Sequence, residues 1–192
     1  MNFEKSQTVK NLAKAFAGES QAGLRYQLIV DKCNAEGYVA MANEIKILAK
    51  NEVAHAKAYY TMITDRLGNV NNIEIEAGYP FEGTTLEEAL KFSIKNEESE
   101  ATKIYPEFAA VAKEEGFPEI ARKFTLIADI EKQHAKIFKT LHKKLTDGTL
   151  YTSEKATVWQ CSNCGHTASL TEAWKVCPVC GAKQGTVQIK LK

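Results

Sequence analysis

No stretch of the sequence approaches the run of about 20 apolar residues that a membrane span requires. The opening Met1-Asn2-Phe3-Glu4-Lys5 also lacks the apolar stretch of a signal peptide, so a soluble, cytoplasmic protein is expected. Charge of one sign is equally scarce. Twenty-five Lys and Arg stand against 24 Asp and Glu, leaving +1. That balance argues against nucleic-acid or membrane partners, because both need a basic excess for capture. Cysteine is rare too: there are five, four of them between residues 161 and 180. In a reducing cytoplasm such a cluster reads as a metal site rather than a disulfide framework. Cys33 stands apart and reads as a packed thiol without chemistry.

What is present is helical periodicity. Apolar residues recur at steps of three and four in four long segments. The first, about Thr8 to Cys33, carries Val9, Leu12, Phe16, Gly23, Tyr26 and Val30. The second, Val39 to Leu67, carries Met41, Ile45, Leu48, Tyr59 and Met62. The third, Thr85 to Glu114, has Leu86, Leu90, Ile104, Phe108 and Val111. The fourth, Pro118 to Leu145, has Ile120, Phe124, Ile127, Phe138, Leu141 and Leu145. Glu36-Gly37 and Glu115-Gly116 mark tight helix–helix turns. Between the second and third segments, Gly68 to Thr84 is rich in turn residues, among them Asn71, Asn72 and Pro80. Its 17 residues, extended, reach about 56 Å, more than the roughly 44 Å of a 29-residue helix. The segment can therefore run the length of a bundle, and two hairpins with one long crossover is ferritin-like connectivity.

The hairpins are also copies. Shifted by 79 positions, Glu36-Gly37 falls on Glu115-Gly116, Glu52 on Glu131, and His55-Ala56-Lys57 on His134-Ala135-Lys136. Glu19-Ser20, Ala22 and Tyr26 fall on Glu98-Ser99, Ala101 and Tyr105.

Several seam positions are polar. Glu19 continues the first stripe, Glu52 and His55 the second, and Glu131 and His134 the fourth. An isolated buried carboxylate is very costly, so these groups point to a shared cation that accepts carboxylate and imidazole together. One Glu-x-x-His is a weak signal, but two at corresponding places in duplicated hairpins match the dinuclear pattern of ferritin-like bundles. The third segment is ambiguous. The repeat nominates Glu98, whereas helical phase centres Glu97 in the apolar arc, with Glu98 and Glu100 on its shoulders.

Past Leu145 the period stops. Residues 1–146 read as the bundle, 147–156 as a linker, and 157–192 as a small β domain held by metal. That tail carries Cys161-x-x-Cys164-Gly165 and Cys177-x-x-Cys180-Gly181, two knuckles that can supply four thiolates to a tetrahedral zinc or iron. A segment this short builds little core, so the metal would also hold it folded. Trp159 and Trp174 read as its packing residues. His142 and His166 read as exposed.

With these motifs, and with Ala17-Gly18-Glu19-Ser20-Gln21-Ala22 and Glu97-x-x-Glu100 ahead of Tyr105-Pro106, the sequence resembles the rubrerythrins, non-haem iron peroxidases. The resemblance spans nearly the whole chain and implies a rubredoxin-like tail holding one iron. It also implies a di-iron site of Glu19, Glu52, His55, Glu97, Glu100, Glu131 and His134, bridged by Glu52 and Glu131, with Tyr26 and Tyr105 nearby. In that family the extra carboxylate, here Glu100, exchanges with a His, here His55. The implied activity is reduction of hydrogen peroxide to water in oxidative-stress defence. Electrons would pass through the tail iron from rubredoxin or an NAD(P)H-dependent reductase, in a head-to-tail homodimer. An iron oxidase or storage protein, or a non-enzymatic binding protein with a zinc tail, is the alternative reading.

Overall fold

A computed structural model describes residues 2–69 and 72–191; Met1, Val70, Lys192 and the crossover residue Asn71 lie outside the described residues. After a short turn at Phe3–Lys5, Ser6 opens α1 (Gln7–Ala35) by accepting the Val9 N–H on its side chain. From the far hairpin, Glu115 caps the same end, its carboxylate accepting the Gln7 and Thr8 N–H groups at 2.8 and 2.7 Å. At Gly37, φ 84°, the chain turns back into α2 (Val39–Leu67), and the Tyr38 N–H reaches the Cys33 carbonyl at 2.7 Å.

The third rod has three parts: α3 (Leu86–Ser99), a π-helical turn (Glu100–Ile104) and α4 (Tyr105–Glu114). Thr85 and Glu88 form a reciprocal capping box at its start. Gly116, φ 88°, repeats the first hairpin's turn into α5 (Pro118–Thr146), with the Phe117 N–H on the Ala112 carbonyl at 2.8 Å. The four rods pair mainly within their hairpins. The crossover runs along α1: Tyr79 donates to the Lys14 carbonyl, Pro80 accepts from Gln21, and Thr84 accepts from Lys32.

The π turn changes the repeat register. Thr8, Asn11, Leu12, Ala15 and Glu19 of α1 are buried, and so are Leu86, Ala89, Leu90, Ser93 and Glu97, each 78 positions later. From Ala101 within the π turn onward, buried Ala22, Tyr26 and Cys33 correspond to buried Ala101, Tyr105 and Ala112, now 79 later. The extra residue rotates the rod, so Ala112 is buried where periodicity expects Val111, which is half-buried. Phe16, expected in the first seam, is instead 36% exposed and packs on Tyr60. It lies one residue, about 100°, beyond Ala15 on the helix.

Two apolar clusters fill the bundle. One gathers Tyr26, Met41, Ile45, Leu90 and Phe138, the other Leu12, Tyr59, Tyr105, Ile120 and Phe124. Along all four rods the carboxylates and histidines fall between these clusters. No helix among the described residues is long and apolar enough to cross a membrane.

The tail is an antiparallel pair, β1 (Thr152–Gln160) and β2 (Thr167–Glu172). β1 starts inside the stretch read as linker, because Thr152 pairs with Glu172 at the far end of β2. Trp159, Ala173 and Val187 form the tail core, with Trp174 half-buried against it. His166 is half-buried rather than exposed, its ring 4.9 Å from that of Trp174. His142 is likewise half-buried, with its Nε2 shut off from solvent. Leu150 and Ile189 join the bundle cluster, which seats the tail at the α1–α2 turn. There a Cβ built on Gly185 would stand 1.8 Å from the Gly37 carbonyl oxygen, so only glycine permits the approach.

Candidate metal centres

Helices α1, α2, α3 and α5 each turn a carboxylate into the gap between the apolar clusters: Glu19, Glu52, Glu97 and Glu131, all buried. His55 and His134 follow one helical turn after Glu52 and Glu131, on the same faces. The six side chains form two groups that share two members. Glu19, Glu52, His55 and Glu131 converge at one end, and Glu52, Glu97, Glu131 and His134 at the other.

The oxygens divide between the groups. His55 Nδ1 lies 3.3 Å from Glu52 Oε2 and 3.0 Å from Glu131 Oε1. His134 Nδ1 lies 2.8 Å from Glu52 Oε1 and 2.8 Å from Glu131 Oε2. Each shared carboxylate thus presents one oxygen to each histidine. Glu19 Oε2 adds to the first group at 3.6 Å and Glu97 Oε1 to the second at 3.7 Å.

Despite these approaches, Glu19 Oε2, Glu52 Oε1, Glu97 Oε2, both Glu131 oxygens and His134 Nδ1 have no hydrogen-bond partner among the described residues. Six buried polar atoms with converging lone pairs fit a pair of cations. The protonation demands agree. Burial, then the charges of Glu52 and Glu131, pushes the Glu97 carboxyl well above its ordinary range. Burial draws the His55 imidazole down, but the Glu131, Glu19 and Glu52 carboxylates outweigh it and hold it up at about 12. A cation in each group removes this conflict.

Tyr26 donates its hydroxyl to Glu97 and Tyr105 to Glu19, so each end carboxylate is held by a phenol from the opposite hairpin. Glu98, the residue nominated by the repeat, points outward and pairs with Lys139 on the surface. Glu100 stands outside both compact groups. It lines a neighbouring cavity, where burial and then the charges of Glu131 and Glu52 push its carboxyl up to about 8. Sequence reasoning missed Asn51, whose side-chain amide lies 3.3 Å from His134 Nε2. Nδ1 turns to the carboxylates while the Asn51 amide nitrogen faces Nε2, so Asn51 bears on the orientation of the ring from the side away from them. No repeat signals it, because position 130 in the second hairpin is Ile130.

In the tail all four cysteines converge. Cys161 and Cys180 sulfurs are 3.8 Å apart, and Cys164 and Cys177 3.7 Å. A tetrahedron with metal–sulfur bonds of about 2.3 Å has edges of about 3.8 Å; a disulfide would need about 2 Å. Gly165 and Gly181, at φ 77° and 72°, close the two knuckles. The Asn163 side chain donates to Cys180 at 3.4 Å and, with the Ala182 N–H, holds that thiol down at about 6.

A ferritin-like bundle with a dinuclear carboxylate–histidine centre, joined to a tetrathiolate tail, defines a class of two-site iron protein. Related proteins give that class its family. The rubrerythrin family model matches residues 10–85 and 88–164, and that of the rubrerythrin rubredoxin-like domain matches 159–186. A rubrerythrin of Clostridium perfringens is 40% identical over 91% of this chain and 90% of its own length. One of Nitratidesulfovibrio vulgaris is 36% identical over 91% and 90%. The chain belongs to the rubrerythrin family, with a carboxylate–histidine di-iron site and a four-cysteine rubredoxin-like site. Nigerythrin in a mixed-valence state has the same fold, with TM-score 0.64 and 22% identity over 95% of this chain and 86% of that one. A Desulfovibrio desulfuricans bacterioferritin shares the bundle, with TM-score 0.66 and 22% identity over 74% and 82%.

Proposed function

We propose that the protein is a cytoplasmic peroxidase that reduces hydrogen peroxide to water, drawing electrons through its own tail. The observation that carries this reading is the division of Glu52 and Glu131 oxygens between His55 and His134, beside a second, thiolate centre in one chain. Glu19, Glu52, His55, Glu97, Glu131 and His134 hold the iron pair, with Glu100 a further carboxylate in reserve; Cys161, Cys164, Cys177 and Cys180 hold the tail iron. Bound there, an iron pair would supply two electrons, and iron held by the four cysteines would return them singly. An iron-storage role would leave the thiolate centre without a task.

The residues around the pair prepare the site. Tyr26 and Tyr105 fix the end carboxylates and keep their phenolic protons, because burial raises both hydroxyls well above their ordinary values. Asn51 orients His134. The apolar clusters on either side exclude bulk water, which strengthens every charge interaction between them.

The separation of the two centres supports a head-to-tail homodimer. The tail sits at the α1–α2 turn, and from Val39 to Glu52 the helix rises about 20 Å. A partner's tail laid against the bundle shortens that path. The external donor is rubredoxin or an NAD(P)H-dependent reductase. Residues 1–146 and 157–192 thus divide catalysis from electron supply.

Cys161→Ser tests the relay. The pre-reduced variant should consume one equivalent of peroxide yet fail in reductase-linked turnover; normal turnover rejects the relay. A mixture with Glu131→Ala chains tests the dimer. Recovered activity in verified heterodimers supports transfer between chains, and none recovered with the surviving sites metal-loaded rejects it.

A further inference from the structure

Beside the dinuclear group lies a cavity of about 310 Å³. Tyr105, whose hydroxyl donates to Glu19, is one of its walls, and Glu100 is another. The cavity therefore abuts the reacting centre. The rest of its lining sets apolar Ala15, Ile104 and Phe108 beside polar Lys14, Arg25 and Glu107, with the apolar surface the larger share. One molecule of water occupies about 30 Å³ in the liquid, so a substrate of two oxygen atoms fills a small part of this space. The volume falls instead at the lower end of pockets for small organic ligands, about 300–1,000 Å³.

The cavity is also firmly walled. Its outer side is the crossover, held to α1 by the Tyr79 hydroxyl on the Lys14 carbonyl at 3.1 Å and by Gln21 on the Pro80 carbonyl at 2.9 Å. Arg25 donates to Gln21 at 3.0 Å and fixes that second tie. A preformed, mostly apolar space costs little ordering when a ligand enters.

We infer that this cavity receives the organic group of a small, uncharged hydroperoxide, with the peroxide end toward Glu100 and Tyr105. The inference rests on the peroxidase reading and widens its substrate class. The O–O bond breaks, two electrons come from the ferrous pair, which becomes ferric, and two protons from solvent complete one alcohol and one water.

Gly18→Leu is the informative variant. A Cβ at Gly18 meets Tyr79 Cε1 at 3.7 Å and Glu100 Oε1 at 4.0 Å, which is ordinary contact, so the branched end must occupy the cavity. Leu is also the better helix former, so folding should survive. Two readouts are needed on the metal-loaded full chain. Calorimetry with 2-phenyl-2-propanol, the alcohol product of cumene hydroperoxide, should show binding to the wild type and about tenfold weaker binding to the variant. The pre-reduced wild type should be oxidised by cumene hydroperoxide and by hydrogen peroxide, and the ratio of the two rates should fall about tenfold in the variant. A crystal soaked with the alcohol gives a check that does not depend on the variant: density against Gly18 and Phe108 supports the inference, and density only elsewhere overturns it. Oxidation by hydrogen peroxide alone, with no alcohol bound, overturns the inference and leaves the peroxidase reading standing. Oxidation by neither overturns both.

Discussion

The hydroxyl of Tyr26 donates to a carboxylate oxygen of Glu97, across the bundle from α1 to α3. Tyr105 returns the same contact to Glu19. Tyr26 follows Glu19 by seven residues, but Tyr105 follows Glu97 by eight. The π turn between Glu97 and Tyr105 absorbs the extra residue and lets both tyrosines point inward, in keeping with the association of such turns with functional sites. It also carries Glu100, which has no carboxylate counterpart in the first hairpin: Ala22 stands 78 positions earlier and Gln21 79.

The paired phenols should be energetically equivalent. Tyr26→Phe and Tyr105→Phe each leave a buried carboxylate oxygen without its donor. Each should destabilise the metal-free chain by about 1–3 kcal/mol, read from urea unfolding. A loss for one with none for the other would show that the two hairpins do not share the load.

Glu97 and Glu98 should behave oppositely. Glu97→Ala removes a buried carboxylate from the second group, and metal analysis should show loss of iron from the bundle with the tail iron retained. Glu98→Ala removes only a surface pair with Lys139, so its iron content should be normal and its stability within about 1 kcal/mol of wild type. The reverse pattern would mean that the unbroken 79-residue repeat describes the site better than the π turn does.

Asn163 should tune the tail. Its amide donates to the Cys180 sulfur, and such a bond favours the more negative, reduced state of a thiolate iron. Asn163→Ala should therefore lower the midpoint potential of the tail iron, as measured by spectroelectrochemistry. An unchanged or higher potential would remove Asn163 from that role.

Gly185 should fix the seat of the tail. An added methyl would stand 1.8 Å from the Gly37 carbonyl oxygen, a backbone atom that cannot swing aside. Gly185→Ala should loosen the tail and speed proteolytic cleavage between α5 and β1, while the bundle's helical circular dichroism stays unchanged. Cleavage at the wild-type rate would show that the turn moves without cost.

Cys33 should stay inert. Burial, and then the charge of Glu36, pushes its thiol up to about 12, so at pH 8 it is protonated as well as enclosed. Iodoacetamide should leave it unmodified in the folded protein and alkylate it in denaturant, as shown by peptide mapping. Equal labelling in both states would show that the helix pair opens readily.

The four amphipathic rods, the long crossover, the duplicated Glu-x-x-His pairs and the cysteine knuckles are legible from residue order alone. These are local patterns, and each is complete within one helix or one turn. Residue order left Glu97 and Glu98 in competition because the 79-residue repeat holds only beyond the inserted residue, whereas before it the correspondence is 78 and selects Glu97. Tertiary structure decided the rest. Asn51 meets His134 across two helices, Glu100 faces a cavity outside both compact groups, and Gly185 meets Gly37 across nearly the whole chain. None of these pairs has a period or a fixed spacing, because such contacts arise only when separate elements pack, and packing depends on the shapes of all the faces that meet.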